Sequence, residues 1–262
     1  MSDVRELLHE QVEFHELLWQ MTRRDLLLRY KQTIMGFGWA VFMPLVNTVI
    51  FTVVFSRVAR VDVGMPYPLF AYTGFLFWNL LAASLRTAVS SLTSNTSLVT
   101  KVYFPREIFP FSAVIVAAVD SLVGGFVVAG MLVYYHVAIT PAVLFLPVIL
   151  IVQLIFTAGL ALFLAMANLF YRDVKYLFDV VIIAWMFASP VAYSFDGVGG
   201  LTGVVAQANP MTTILEAYRD VLVRGQLPPA APLMETAALS CAILSVAWIV
   251  FHRAEFRFAE NV

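Results

Sequence analysis

The chain has 262 residues, 61% of them hydrophobic and only 13% charged, with a net charge of −1. Soluble domains carry about 25% charged residues, so an ordinary soluble fold is excluded, and the balanced charge gives no basis for nucleic-acid binding. The single cysteine, Cys241, lies in an apolar run and has no partner for an internal disulfide.

The charges are clustered. None falls between Gln32 and Ser56 or between Val63 and Leu85, and Asp120 is the one charge between Ile108 and Tyr171. These stretches exceed the ~20 apolar residues that cross a bilayer. They predict an all-α polytopic membrane protein, a single transmembrane domain over residues 1–262 with six spans.

In chain order, residues 4–19 come first, with acids spread through them and no apolar core of a cleaved signal peptide. Val4, Leu7, Leu8, Val12, Leu18 and Trp19 fall near one helical face and the glutamates mostly on another. This amphipathic helix lies on the membrane surface or packs on another chain. The spans follow at about 34–56, 68–95, 108–135, 142–170, 176–195 and 232–252. A hairpin at "YYHVAITPAV" separates the third from the fourth. The fifth is weakened by Asp179 near its start and Ser189-Pro190 near its end, where proline removes a helix hydrogen bond.

Between spans five and six, "NPMTTILEAYRDVLVRG" (209–225) reads as a capped helix. Asn209 suits the cap, Pro210 the first turn and Gly225 the stop. Glu216 with Arg219, and Asp220 with Arg224, are spaced to pair. At roughly 22 Å the segment is too short and too charged to span, so it belongs at the outer face.

With both termini in the cytoplasm, 11 of the 16 Lys and Arg residues fall inside, four outside and one, Arg86, within a span. The excess of inside cations favours this N-in, C-in arrangement. It makes "TKVYFPREIFP" (100–110) a cytoplasmic loop.

Sequence signals for catalysis are absent. The four histidines form no metal-ligand pattern, and no Gly-Lys dipeptide exists to build a phosphate-binding loop. No metal or cofactor site is expected in this chain. Arg86 and Asp120 are the ionisable residues well inside the spans, at nearly matching depth. They suit an ion pair between two helices, the wall of a wet pathway, or snorkelling. The chain is also rich in aromatics, which anchor helices at the interface or line a path for sugar.

Four stretches, "RDLLLRYKQTIMGFGWAVFMPL" (24–45), "LVTKVYFPREIFPFS" (98–112), "NLFYRDVKYLFDVVIIAWMFASPVAYS" (168–194) and "NPMTTILEAYRDVL" (209–222), occur in this order. They resemble the permease subunits of type-2 ABC exporters for polysaccharides, the group that exports O-antigen, teichoic acid and capsule. The resemblance implies an inner-membrane homodimer working with two copies of a separate ATPase subunit, which binds the ATP and Mg. It implies a lipid-linked polysaccharide carrying a pyrophosphate as cargo. It also implies an N-terminal interface helix at 4–19, outer-face gate helices at 198–225 and a cytoplasmic coupling helix at 100–107. The coupling residues are then Lys101, Val102, Tyr103, Phe104, Pro105, Arg106 and Glu107, an apolar plug with a charged rim. Asn209, Pro210, Glu216, Tyr218 and Arg219 fall in the gate region. Arg24, Arg29 and Lys31 fall near the entrance, where cations meet a diphosphate, though positive-inside charge explains them equally. The tunnel is lined partly by aromatic rings, here Trp39, Tyr72, Trp78 and Tyr193. Residue types leave open a permease for a drug or small lipid. A membrane glycosyl- or acyltransferase would need a catalytic carboxylate or histidine cleft that the sequence lacks.

Overall fold

The computed structural model describes residues 14–31, 35–36, 38–58, 63–96, 104–194 and 208–255, with residues 98, 200, 203 and 258; side chains of 56–58 are excepted. Every regular element among the described residues is helical. In order these are α1 (His15–Tyr30), α2 (Gly38–Thr52), α3 (Tyr67–Ser94), α4 (Ile108–Tyr134), α5 (Leu146–Phe170), α6 (Val174–Phe187), α7 (Pro210–Arg219) and α8 (Ala230–Ala254). Wider turns continue α2 over Val53–Val58 and α7 over Asp220–Arg224, and a 3₁₀ turn at Pro141–Phe145 leads into α5.

Five of these segments are long and apolar enough to cross a membrane: Gly38–Phe55, Tyr67–Ser94, Ile108–Tyr134, Pro141–Phe170 and Ala230–Ala254. The expected fifth span, 176–195, differs. α6 has 14 residues, roughly 21 Å, and gives way at Ala188 to an irregular turn through Ser189-Pro190. Proline has no N–H to continue the ladder. The expected surface helix at 4–19 lies mostly outside the described residues, which begin at 14; α1 covers its last part and runs on to Tyr30.

α3 is the central helix. Its side chains from Tyr67 to Leu92 are mostly buried, and it packs along α4 and α5. Inside an apolar bundle its hydroxyls have no water to bond. Thr73 therefore donates to the Leu69 carbonyl at 2.8 Å and Ser84 to that of Leu80 at 2.6 Å, one turn back along the helix. α2 and α8 are the opposite case, with Phe42, Val49, Ile50, Met234, Val246 and Val250 among many exposed apolar side chains.

α7 folds into one end of the bundle. Asn209 caps it, accepting from Met211 N at 3.1 Å, and its amide donates to the Ala188 carbonyl and to Ser189 Oγ. Trp185 Nε1 also donates to it, at 3.1 Å. Tyr218 stacks flat on Phe77, with centroids 3.4 Å apart, and donates to Gln153 Oε1 at 2.9 Å. Arg219 is fully buried. It lies 3.6 Å over the Phe70 ring, pairs with Glu216 at 2.6 Å and donates to the Val191 carbonyl at 2.9 Å. Gly225, at φ 68°, ends the segment, and Thr140 of the α4–α5 connection bonds its carbonyl.

This docking needs a gap in α3. A Cβ on Gly74 would overlap the Val191 carbonyl oxygen and come within 2.7 Å of Arg219 Nη2. Gly125 of α4 has nothing within 4 Å of the same position. Gly74→Ala should therefore cost about 2 kcal/mol or more through overpacking. Gly125→Ala should be neutral or gain up to about 1 kcal/mol of helix propensity. Melting of the two variants in detergent measures the difference, and equal melting temperatures would contradict this packing.

Candidate functional site

A cavity of about 540 Å³ opens between the C-terminal turn of α1 and the walls of α2, α3 and α4. That volume falls within the roughly 300–1,000 Å³ of small-molecule sites. Trp39, Asn47, Asn79, Arg86, Asp120 and Ser121 are among its lining residues, with Arg29 and Tyr30 at the α1 side. Asp120 bonds α1 twice: Arg29 pairs with Oδ2 at 2.8 Å, and the Tyr30 hydroxyl donates to Oδ1. Burial first, and then the Asp120 carboxylate, raise the Tyr30 pKa, so the phenol stays protonated and can donate.

The Arg86–Asp120 pair expected from matching depth does not form. Both line the cavity, but Asp120 is taken by Arg29 and Tyr30, and Arg86 lies 3.9 Å from Asp179 of α6. Depth alone says nothing of which side of a helix a residue occupies, and the side decides the partner.

The four rings assigned to the pathway separate. Trp39 is 41% exposed and lines the cavity. Tyr72 and Trp78 do not line it: they are core residues, Tyr72 donating to the Gly124 carbonyl and Trp78 set edge-on to Trp185. Tyr193 is half-buried in the turn after α6. Of the entrance cations, Arg29 reaches the cavity. Arg24 is turned to Asp25 and Asn95, and Lys31 is exposed beside a shallow groove with Arg23, Leu27 and Leu28. The gate residues Asn209, Tyr218 and Arg219 are buried scaffold. Pro210 opens α7 as read, and Glu216 bridges Arg219 and Arg224.

The coupling segment also turns inward where it is described. Lys101, Val102 and Tyr103 lie outside the described residues. Phe104 is not a projecting plug: it is buried against Phe109, in a cluster that includes Leu169, Phe251 and Phe258. Residues 104–107 form a turn into α4 rather than a helix. Arg106 pairs with Glu255 at 3.2 Å, and Glu107 is wholly buried, with Trp248 Nε1 3.3 Å from its Oε1. His252 Nδ1 sits 3.7 Å from Glu107 and 3.7 Å from Glu255, too far to bond either. These three side chains bring ligand atoms within 4.8 Å of one another, a spacing a metal ion could use. The Arg106 guanidinium already supplies a cation to Glu255 there.

The sequence reading passed over Asn47 and Asn79, although each is a lone amide in an apolar run, and nothing in the sequence joins Glu107 to His252 and Glu255. Burial pushes the Glu107 carboxyl up to about 7, with the Glu255 carboxylate acting in the same direction and His252 and Trp248 against it. The folded chain then holds a proton that the unfolded chain releases near the ordinary value of 4.5. The associated stability is complete below that value and is lost as pH rises through about 7. Glu107→Gln should remove this part of the pH dependence. Melting at about pH 5 and about pH 8 checks it: the wild-type drop should exceed that of the variant, and equal drops would refute the assignment.

A sequence profile of the family described as "ABC-2 type transporter" matches residues 16–223. The chain is similar along nearly its whole length to the O-antigen export system permease protein RfbA of Myxococcus xanthus, 28% identical, with 98% of this chain and 99% of that one aligned. Two proteins of the same name from Klebsiella pneumoniae are also 28% identical, over 94% of each chain. The apolar helices, the polar cavity among them and the match over most of the chain lead to one conclusion: this is a multi-pass membrane protein that belongs to the ABC-2 type transporter family.

Proposed function

We propose that the chain is the membrane-spanning subunit of an ATP-driven exporter that moves a lipid-linked polysaccharide across the cytoplasmic membrane. The observation that carries this is the end-to-end similarity to permeases named for O-antigen export. The hydrolysing site belongs to a separate ATPase subunit, because the sequence has no phosphate-binding loop. The functional unit is a homodimer bound to two such ATPases. The exposed apolar faces of α2, α6 and α8 suit lipid and a second copy.

A parity argument supports the reading of six crossings with cytoplasmic termini. The start of α1, the turn at Phe104 and the end of α8 pack in one cluster at the same end of the bundle. α5 ends in that cluster, at Leu169, whereas α7 sits at the other end against Phe70 and Gly225's neighbour Thr140. A crossing between them accounts for this arrangement, and α6 with its irregular turn is the segment we assign to the sixth passage. Non-helical backbone is tolerated at that depth where protein groups satisfy it, as Asn209 does for Ala188. Arg24 bonds Asn95 just after α3, Arg106 lies in the turn before α4 and Lys175 follows α5, and these cations support reading the α1 end as the inside. There the turn at 104–107 and the end of α8 meet the ATPase, and the cavity beside Arg29 opens toward the arriving cargo.

A long glycan must slide, so its contacts should be many and weak. Trp39 offers a ring face for that at the cavity wall, whereas Trp78 is structural. The test is surface glycan in cells that co-express the candidate ATPase, read with the amount of permease in the membrane. Trp39→Ala should lower export several-fold at unchanged permease level. Trp78→Ala should lower the level itself, since truncating a buried Trp costs about 3–5 kcal/mol. Normal export by Trp39→Ala would remove the ring from the pathway. ATP hydrolysis by the purified complex that ignores lipid-linked glycan would overturn the function.

A further inference from the structure

We propose that Glu107, His252 and Glu255 form a site for one first-row divalent metal ion, with Zn²⁺ the best fit, which ties the start of α4 to the end of α8. The inference stands on this corner of the bundle alone and does not depend on the export reading.

His252 and Glu255 are three residues apart at the end of α8, so their side chains leave the helix on one face. Glu107 comes from a distant piece of chain, as the residue that opens α4. His252 Nδ1 lies 3.7 Å from Glu107 Oε1 and 3.7 Å from Glu255 Oε2, and ligand atoms of all three side chains fall within 4.8 Å of one another. Nitrogen and oxygen ligands sit about 2.0–2.2 Å from a zinc ion, which puts two of them roughly 3.3–3.6 Å apart in a tetrahedral site. Small side-chain rotations therefore suffice to close the three around an ion.

Two atoms of this group are orphans. His252 Nδ1 and Glu107 Oε2 are buried and have no hydrogen-bond partner. The Glu107 side chain is wholly buried, so its second oxygen has no recourse to water. At 3.7 Å from each carboxylate, Nδ1 faces both and bonds neither. A protonated imidazole would draw one of them to about 2.8 Å. Buried polar atoms are nearly always paired, and an orphan in a folded chain marks a place for a missing partner such as an ion. A metal ion between the three supplies the partner that Nδ1 lacks. Glu107 reaches it through either oxygen by turning about its last torsion.

The neighbours hold these donors in place. The Arg106 backbone N–H and Nη1 both reach Glu255 Oε1 at 3.2 Å, on the oxygen other than the one set toward His252. Trp248 Nε1 lies 3.3 Å from Glu107 Oε1. Metal-binding side chains are commonly oriented by hydrogen bonds of this kind from beyond the ion. Two carboxylates against the Arg106 guanidinium leave the group net negative among the described residues. Arg253 is exposed, and adjacent helix residues do not share a face. The single imidazole argues against magnesium and calcium, and the lack of a thiolate argues against copper(I). Three protein ligands leave a fourth position for water. The ion would add a bridge where Arg106–Glu255 and the packing of Phe104, Phe251 and Phe258 already join the two segments. Its binding would therefore stabilise the folded corner.

The test uses the full chain, purified with a tag free of histidine, stripped with EDTA and held in neutral-lipid nanodiscs. ZnCl₂, MnCl₂ and MgCl₂ are titrated at one fixed pH, because protons compete for the ligands. Bound metal and melting temperature are read together. One Zn²⁺ per chain should bind in the micromolar range or tighter and raise the melting temperature by several degrees. Mn²⁺ should bind more weakly and Mg²⁺ more weakly still. His252→Asn and Glu107→Gln should each weaken Zn²⁺ binding by roughly tenfold or more and erase the melting shift. The partly exposed His252 keeps the test open if the Glu107 variant fails to fold. His136→Asn, in the α4–α5 connection, should change neither reading. His252→Cys should keep Zn²⁺ and lose Mn²⁺, since a thiolate selects the softer ion, a result that a purely structural histidine would not give. No saturable Zn²⁺ binding, binding unchanged in His252→Asn, or Mg²⁺ bound as tightly as Zn²⁺ would each overturn the site and leave the three side chains as an ion-pair cluster.

Discussion

The fully buried guanidinium of Arg219 holds one end of the bundle together. In an apolar interior an uncompensated cation is among the most costly groups a chain can carry. Its environment is therefore built around it: the Glu216 carboxylate, the Val191 carbonyl and the Phe70 ring each take one side. These partners come from three separate pieces of chain, so satisfying Arg219 also fixes α7, the turn after α6 and the start of α3 relative to one another. The missing Cβ of Gly74 is the space in which this happens.

The same rule explains the rest of the polar inventory. Polar groups inside the bundle cannot turn to water, so several of them become structural ties. Gln153 joins Phe77 to Tyr218, Asn209 joins α6 to α7, and Asn168 accepts from Lys175 N to start α6. Asn168, Asn209 and Tyr218 fall inside the motifs "NLFYRD" and "NPMTTILEAYRD". The motifs thus identify the fold because they encode its internal hydrogen bonds, and only secondarily because they face a ligand.

Two polar places stand apart from this scaffold. One is the cavity, lined by Arg29, Arg86 and Asp120. The other is the buried group of Glu107, His252 and Glu255 at the end that carries the 104–107 turn. Both lie on the side of the bundle where α1 packs. The first concerns what enters the cavity. The second joins the start of α4 to the end of α8 through a buried carboxyl that Trp248 Nε1 approaches and whose pKa burial raises.

The sequence by itself determined the membrane class, the helical content and the positions of the long spans to within a few residues, because apolar length and the rarity of charge are local properties that a bilayer reads directly. It also determined the cap, first turn and stop of α7, since Asn209, Pro210 and Gly225 act through their own backbone neighbourhood. What it left open was rotation about each helix axis. Tyr72 and Trp78 sit in the core while Trp39 lines the cavity, although all three are rings in apolar runs of similar composition. Asp120 turns to Arg29 rather than to Arg86, and Phe104 faces its own bundle rather than outward. Those choices belong to the tertiary structure: in a chain this uniformly apolar the usual contrast between a wet and a dry face is weak, and only packing between helices decides which side of each one is inside.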